Sequence, residues 1–239
     1  MALRLSSNQG NAVTRASAYF SKLAAPAPAQ QLEVGGCTFT EFSGPVPADP
    51  EPPQAGPITV SKAGTALLTL KPSPGSGYYG DSSASEALFA AGERIGFLAA
   101  GASVPAFSGE VTAPGPLVVT LPTKPAAGEP VVIDRSQPFE VTWTPGPAGA
   151  NANLLLLAPS PTPGHSFAAR CSVDQSVGKA TFAPEGLAIM PAGEGNVRFS
   201  AIQKSVVSAG AASVELIVSV GATGPGGAEG MAELPAKFE

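Results

Sequence analysis

Charge is scarce in this 239-residue chain: only 13% of residues are Asp, Glu, Lys or Arg, about half of the usual quarter. No three basic residues stand in a row, and the formal net charge is -5. Neutralising nucleic-acid phosphates needs clustered Lys and Arg, so nucleic acid is excluded as a partner. There is one histidine, His165, and there are two cysteines, Cys37 and Cys171, without CxxC spacing. No Cys/His zinc set can be assembled from these, and no cofactor is expected. No run of 18 apolar residues occurs, which excludes a membrane-spanning helix. The first residues lack a continuous apolar core and do not read as a signal peptide.

Glycine and proline are abundant instead, 28 and 26 residues. Together they make nearly a quarter of the chain, against about 12% in average usage. They leave no long unbroken helical window, so a helix bundle is excluded. Hydrophobic residues still make up 44%, and the mean hydropathy is +0.18. A disordered chain has low hydrophobicity and high net charge, so wholesale disorder is excluded as well. What remains is an all-β protein, an antiparallel β-sandwich of short strands set off by turns.

Four segments are expected. Residues 1–31 form an N-terminal arm, helical or extended. It holds Arg4, Arg15 and Lys22 and no acid, loosely like a transit peptide, but a mature arm fits better. Ala12, Ala16, Tyr19, Phe20 and Leu23 recur at helical spacing, predicting a short helix before Pro26 and Pro28. Residues 32–116 form a β unit with strands at 32–42, 58–60, 66–70, 93–99 and 107–112, and a loop at 73–85. Residues 117–222 carry about seven short strands with regular turns, the immunoglobulin-like pattern. Their predicted core is Phe139, Val141, Trp143, Leu155, Leu157, Phe182, Phe199, Leu216 and Val218. Residues 223–239 read as a flexible, Gly-rich tail.

The run Gly92-Glu-Arg-Ile-Gly-Phe-Leu-Ala-Ala-Gly-Ala-Ser-Val-Pro-Ala-Phe-Ser-Gly109 followed by Val111-Thr-Ala-Pro114 carries a resemblance, as do Phe139–Pro145 and Arg170–Val173. These stretches resemble uncharacterised secreted or lipoprotein β-sandwich proteins of Gram-negative bacteria, of myxobacterial type, with an immunoglobulin-like domain. The resemblance spans roughly residues 33–222. It implies an exported two-part β protein, and implies no activity and no catalytic residues.

Candidate chemistry is thin. Cys37 and Cys171 both sit in strand-like runs, and two readings stand level: a disulfide, or two buried thiols. Gly75-Ser-Gly-Tyr-Tyr-Gly80 fits GxGxxG, which holds a pyrophosphate only between a strand and a helix. Asp81–Phe89 is the one stretch that offers such a helix, but no βαβ alternation surrounds it. His165 has no GxSxG partner, so a serine triad is not expected, and a cysteine nucleophile is equally disfavoured. The acids Glu86, Glu93, Glu110, Asp134, Glu140 and Asp174 are scattered rather than paired for glycoside hydrolysis. Asp49 and Glu51 lie in a proline-rich loop without a regular calcium spacing. Tyr78-Tyr79 is an aromatic pair in a predicted loop, fit for contact with a sugar or a protein, with one of the two packing inward.

The sequence reading is therefore a non-enzymatic structural or assembly protein of the cell surface or extracellular space. It would self-associate, or join another envelope protein, through its arms. The alternative is a monomeric module that recognises a glycan or protein through the loops 73–81 and 159–166. A hydrolase ranks third.

Overall fold

A computed structural model describes residues 1–8, 13–21, 27–44, 49, 51–73, 76–84, 86–127, 129–158, 160 and 162–239, without the side chains of 8, 13 and 80–83. The protein is all-β: 56% of residues are in strands and 5% in helices. The chain divides into two compact units built from alternating segments. Unit 1 is Met1–Ala25, Pro47–Gly115 and Ile202–Val220; unit 2 is Pro26–Val46, Pro116–Ala201 and Gly221–Glu239.

Unit 1 packs two sheets face to face. One is the antiparallel set β6-β5-β8-β9, formed by β5 (Ile58–Lys62), β6 (Thr65–Leu70), β8 (Arg94–Ala99) and β9 (Phe107–Thr112). The other runs β17-β1-β2-β7, with β1 (Ala2–Asn8), β2 (Val13–Tyr19), β7 (Tyr78–Ala84) and β17 (Ala212–Gly221). β1 lies parallel to β17 and antiparallel to β2. The core between the sheets holds Leu3, Leu5, Ala16, Ala18, Phe20, Ile58, Val60, Tyr79, Ile95, Phe97, Leu216 and Val218. The turn from β5 to β6 places Ala63 at φ 47° and Gly64 at φ 79°. Two positive φ values in succession give the twist that a two-residue hairpin prefers.

Unit 2 has a sheet ordered β3-β4-β14-β13-β16. Its strands are β3 (Gln30–Val34), β4 (Cys37–Ser43), β13 (Asn151–Ala158), β14 (His165–Asp174) and β16 (Gly193–Ala209), the last of which ends in unit 1. β18 (Glu233–Phe238) pairs antiparallel with β16 and parallel with β11 (Val131–Ile133). A second sheet, β10-β12-β15, contains β10 (Val119–Leu121), β12 (Phe139–Trp143) and β15 (Lys179–Phe182). One four-residue helix, α1 (Pro184–Leu187), packs beside β3 and β4. The shared core holds Phe39, Val141, Trp143, Leu154, Leu156, Phe182, Phe199, Leu234 and Phe238. Trp143 is 3% exposed, and its indole N–H donates to the Gln175 carbonyl at 2.7 Å.

Several expectations are corrected here. Residues 1–31 are not an arm. Their described part holds β1, β2 and the start of β3, and Leu3, Leu5 and Phe20 are completely buried. The expected helix is the strand β2, with Thr14, Ala16, Ala18 and Phe20 inward at a period of two; Ala12 and Leu23 lie outside the described residues. Small residues carry no strong helical bias against strand partners on both edges. Residues 223–239 are not a flexible tail, because β18 buries Leu234, Ala236 and Phe238. The single strand expected at 32–42 is a hairpin turning at Gly35-Gly36, both at positive φ. The expected loop at 73–85 contains β7. Leu154 and Leu156, rather than Leu155 and Leu157, face the second core, a shift of one residue that reverses the face. Leu216 and Val218 belong to the core of unit 1.

Candidate functional site

Cys37 and Cys171 stand opposite each other in the antiparallel pair β4–β14 and form a disulfide, with their Cα atoms 4.3 Å apart. Both are essentially buried, at 1% and 0% exposed. The bridge joins neighbouring strands of one sheet and lies in the core that also holds Phe39 and Phe182, whose rings meet edge-on. Among the described residues no free cysteine exists, so neither sulfur serves as a thiolate nucleophile.

The two tyrosines nominated from the sequence part ways, as alternation along a strand requires. Tyr79 is completely buried, and its phenol oxygen accepts the Ala55 backbone N–H at 2.7 Å. Burial raises its pKa above the ordinary tyrosine value, against the smaller lowering effect of that hydrogen bond. Its ring meets Phe20 edge-on at 5.4 Å between centroids. Tyr79 is thus a core residue. Tyr78 points the other way and is 39% exposed.

Opposite Tyr78 across the β2–β7 pair stands Tyr19, 49% exposed. Sequence reasoning missed this partner by reading β2 as a helix. The signal was the period-two series Thr14, Ala16, Ala18 and Phe20, which throws Arg15, Ser17 and Tyr19 outward. Register extends the row from Tyr19 to Ala2 and on to Glu215, which pairs with Lys204 at 2.9 Å. One row along, Arg4 lies between Ser17 and the buried Ile217. In the next, Ser6 lies between Arg15 and Ser219. Arg4 and Arg15 are exposed. The result is a sheet face with two adjacent aromatic rings bordered by serines and two guanidinium groups.

Elsewhere in unit 1 a concavity of about 300 Å³ is lined by Ser61, Lys62, Glu93, Arg94, Gly96 and Glu110. Its charges pair among themselves: Lys62 with Glu93 at 3.2 Å and Arg94 with Glu110 at 3.4 Å. The Ala90 backbone N–H holds the Glu93 carboxyl below its ordinary pKa, with Lys62 adding to the effect. Each of these two carboxylates therefore meets a cation within unit 1.

The His165 Nδ1–H donates to the Glu41 carboxylate Oε1 at 2.8 Å, with both side chains partly exposed. Gly75 lies outside the described residues, and the rest of the GxGxxG stretch runs into strand β7 where a phosphate loop needs a helix. Asp49 accepts from the Ser21 hydroxyl and from the Glu51 backbone N–H. Among the described residues no group of three or more His, Cys, Asp or Glu side chains gathers to hold a metal ion, and no helix is long and apolar enough to cross a membrane. Of the loops nominated for recognition, 73–81 supplies Tyr78, while residues 159 and 161 of the other lie outside the described set. No family model and no curated protein matches the chain.

Proposed function

We propose that this chain is a non-catalytic recognition module of an extracytoplasmic, oxidising compartment, and that it contacts its ligand through the outer face of β1, β2 and β7. The observation that carries this reading is the exposed cross-strand pair Tyr19–Tyr78. Two large rings on an otherwise polar sheet face offer rigid, amphipathic contact area at low entropic cost. The buried Cys37–Cys171 bridge supports the compartment, because disulfides persist where thiols are not kept reduced. An exported protein with an immunoglobulin-like domain, expected over residues 117–222 and narrowed by the division of the chain to the Pro116–Ala201 part of unit 2, fits the same picture. The strand-rich sandwich and its buried tryptophan support that likeness, although the disulfide spans neighbouring strands rather than the two sheets.

A self-associating structural protein is the second reading, favoured by the edge strand β9, which pairs only with β8 among the described residues. Exchange of a free arm is no longer its route, because β1 and β18 are already paired within the chain. Light scattering after size exclusion separates the two: a mass near 23.7 kDa favours recognition, and a large or growing mass favours assembly. Retention of Tyr78→Ala on a panel of immobilised polysaccharides and envelope proteins then tests the face. The reading fails if every ligand that retains the wild type retains this variant equally.

A further inference from the structure

We infer that the concavity on the outer face of β5, β8 and β9 binds a free aliphatic α-amino acid in its zwitterionic form. This site is separate from the Tyr19–Tyr78 face and does not depend on it. Along β8, Ile95 and Phe97 point into the core of unit 1, so Arg94, Gly96 and Leu98 point outward. Register sets Gly96 between Ser61 on β5 and Glu110 on β9. Glycine weakens a strand interior and marks places where a ligand or another backbone comes close. Here its bare backbone makes the floor of a hollow. A Cβ at Gly96 would lie 2.8 Å from the Ser61 hydroxyl oxygen, so the hollow and the hydroxyl beside it stand together only with glycine. The β5–β6 turn at Ala63 and Gly64 forms one wall. At about 300 Å³ the space is at the small end of ligand pockets and takes one small molecule.

The charges around this floor select the class of ligand. Two cations, Lys62 and Arg94, stand against two carboxylates, Glu93 and Glu110. A ligand of one sign is attracted by two of these groups and repelled by the other two. The two pairs also differ. Glu93 is anchored, accepting from Lys62 at 3.2 Å and from the Ala90 backbone N–H at 2.7 Å. Arg94 and Glu110 meet loosely, Nε to Oε2 at 3.4 Å, with 77% and 56% of their side chains exposed. Exposed pairs of this kind hold each other weakly. The terminal nitrogens of Arg94 form no hydrogen bond among the described residues, and their fork suits a carboxylate with two parallel N–H donors. Glu110, beside that fork, accepts from an ammonium. An α-amino acid carries both groups on one carbon, which matches two opposite charges this close together. Its side chain then lies over Gly96 toward Leu98, the next outward residue of β8, 56% exposed. Among the described residues no aromatic ring lines the concavity to stack on the C–H face of a sugar.

The test is isothermal titration of the full-length protein with L-leucine, isocaproate, isoamylamine and methyl glucoside. The second and third are leucine without its ammonium and without its carboxylate. The variants are Arg94→Gln and Glu110→Gln, each checked for a native melting transition. The inference expects leucine to bind, each half-molecule to bind about tenfold more weakly, and each variant to weaken leucine by about tenfold. Arg94→Lys keeps the charge without the fork and should weaken leucine by less, which separates loss of the fork from a fold defect. Isocaproate that binds as tightly as leucine overturns the inference in favour of a simple anion site, and isoamylamine that does so overturns it in favour of a cation site. Binding of methyl glucoside in preference to leucine overturns it in favour of a sugar. No heat with leucine at its solubility limit, or leucine binding that neither variant moves, overturns it outright.

Discussion

Replacing Cys37 and Cys171 by alanine opens a loop whose ends are 134 residues apart in sequence. In the chain-entropy treatment, closing a loop of that length removes about 5 kcal/mol of freedom from the unfolded state. The two cysteines are buried in the same core as Phe39 and Phe182, so removing the sulfurs also leaves a small void, which adds to the loss. Unit 2 supplies its own reporter. Trp143 is the only tryptophan, lies in the same core, and is anchored by its indole N–H to Gln175. Guanidinium unfolding followed by tryptophan fluorescence therefore reads this unit and no other. The expected result is a drop of about 3–5 kcal/mol in the double variant, a large share of the 5–15 kcal/mol that holds typical domains. Wild type treated with a strong reductant should shift the same way. A loss below about 1 kcal/mol, with an unchanged slope, would refute the reasoning. It would mean that strand pairing between β4 and β14 already restrains the unfolded chain.

Four further outcomes follow from particular contacts. Tyr79→Phe strands the buried Ala55 N–H and should cost about 1–3 kcal/mol by calorimetry. Because burial raises the folded pKa of Tyr79 above its unfolded value, the protein should lose stability as pH rises above about 10, and this variant should lose less. Gly186→Ala drives a methyl group into the buried Phe39 ring and should cost about 1–3 kcal/mol in the tryptophan assay; a neutral result would mean α1 shifts freely. Asp174 is held below the ordinary carboxylate range, chiefly by the Ser176 hydroxyl and then by the Gly149 and Ser176 N–H groups. Its contribution is present above about pH 4 and lost as pH falls, so Asp174→Asn should flatten the acid limb of stability. Deleting residues 1–20 removes two inner strands of unit 1 and should abolish its cooperative melting, whereas an exchangeable arm would leave the truncated protein folded.

The parts of this fold that were legible in the sequence are those held by local signals. The strands at 58–60, 93–99, 107–112 and 139–143 alternate cleanly between turns, and the β5–β6 hairpin announces itself through Lys62-Ala-Gly64. Trp143, Val141 and Phe182 fall in the predicted core because large apolar side chains have nowhere else to go. The misses are non-local. β1 finds its neighbour more than 200 residues away in β17, and β18 finds β11 across about a hundred. No window of sequence reports such a pairing, so both ends read as arm and tail. Alanine and serine in β2 fit helix or strand alike, and the choice was made by β1 and β7 on its edges. That one reversal hid Tyr19 and, with it, half of the candidate site. Tyr78 was found because adjacent aromatics in a Gly-rich stretch stand out. That it faces outward while Tyr79 faces inward was decided by the pleat.

Nitration of the tyrosines, mapped by mass spectrometry with and without a ligand retained on the panel of polysaccharides and envelope proteins, tests the central claim most directly. The chain has only three tyrosines, so each serves as its own site and as a control for the others. The account predicts that Tyr19 and Tyr78 are modified in the free protein, that Tyr79 is not, and that the ligand protects Tyr19 and Tyr78 together. Modification of Tyr79 at the rate of Tyr78 would contradict the β2–β7 register. Exposure of Tyr19 and Tyr78 that saturating ligand leaves unchanged would contradict their role as the recognition face.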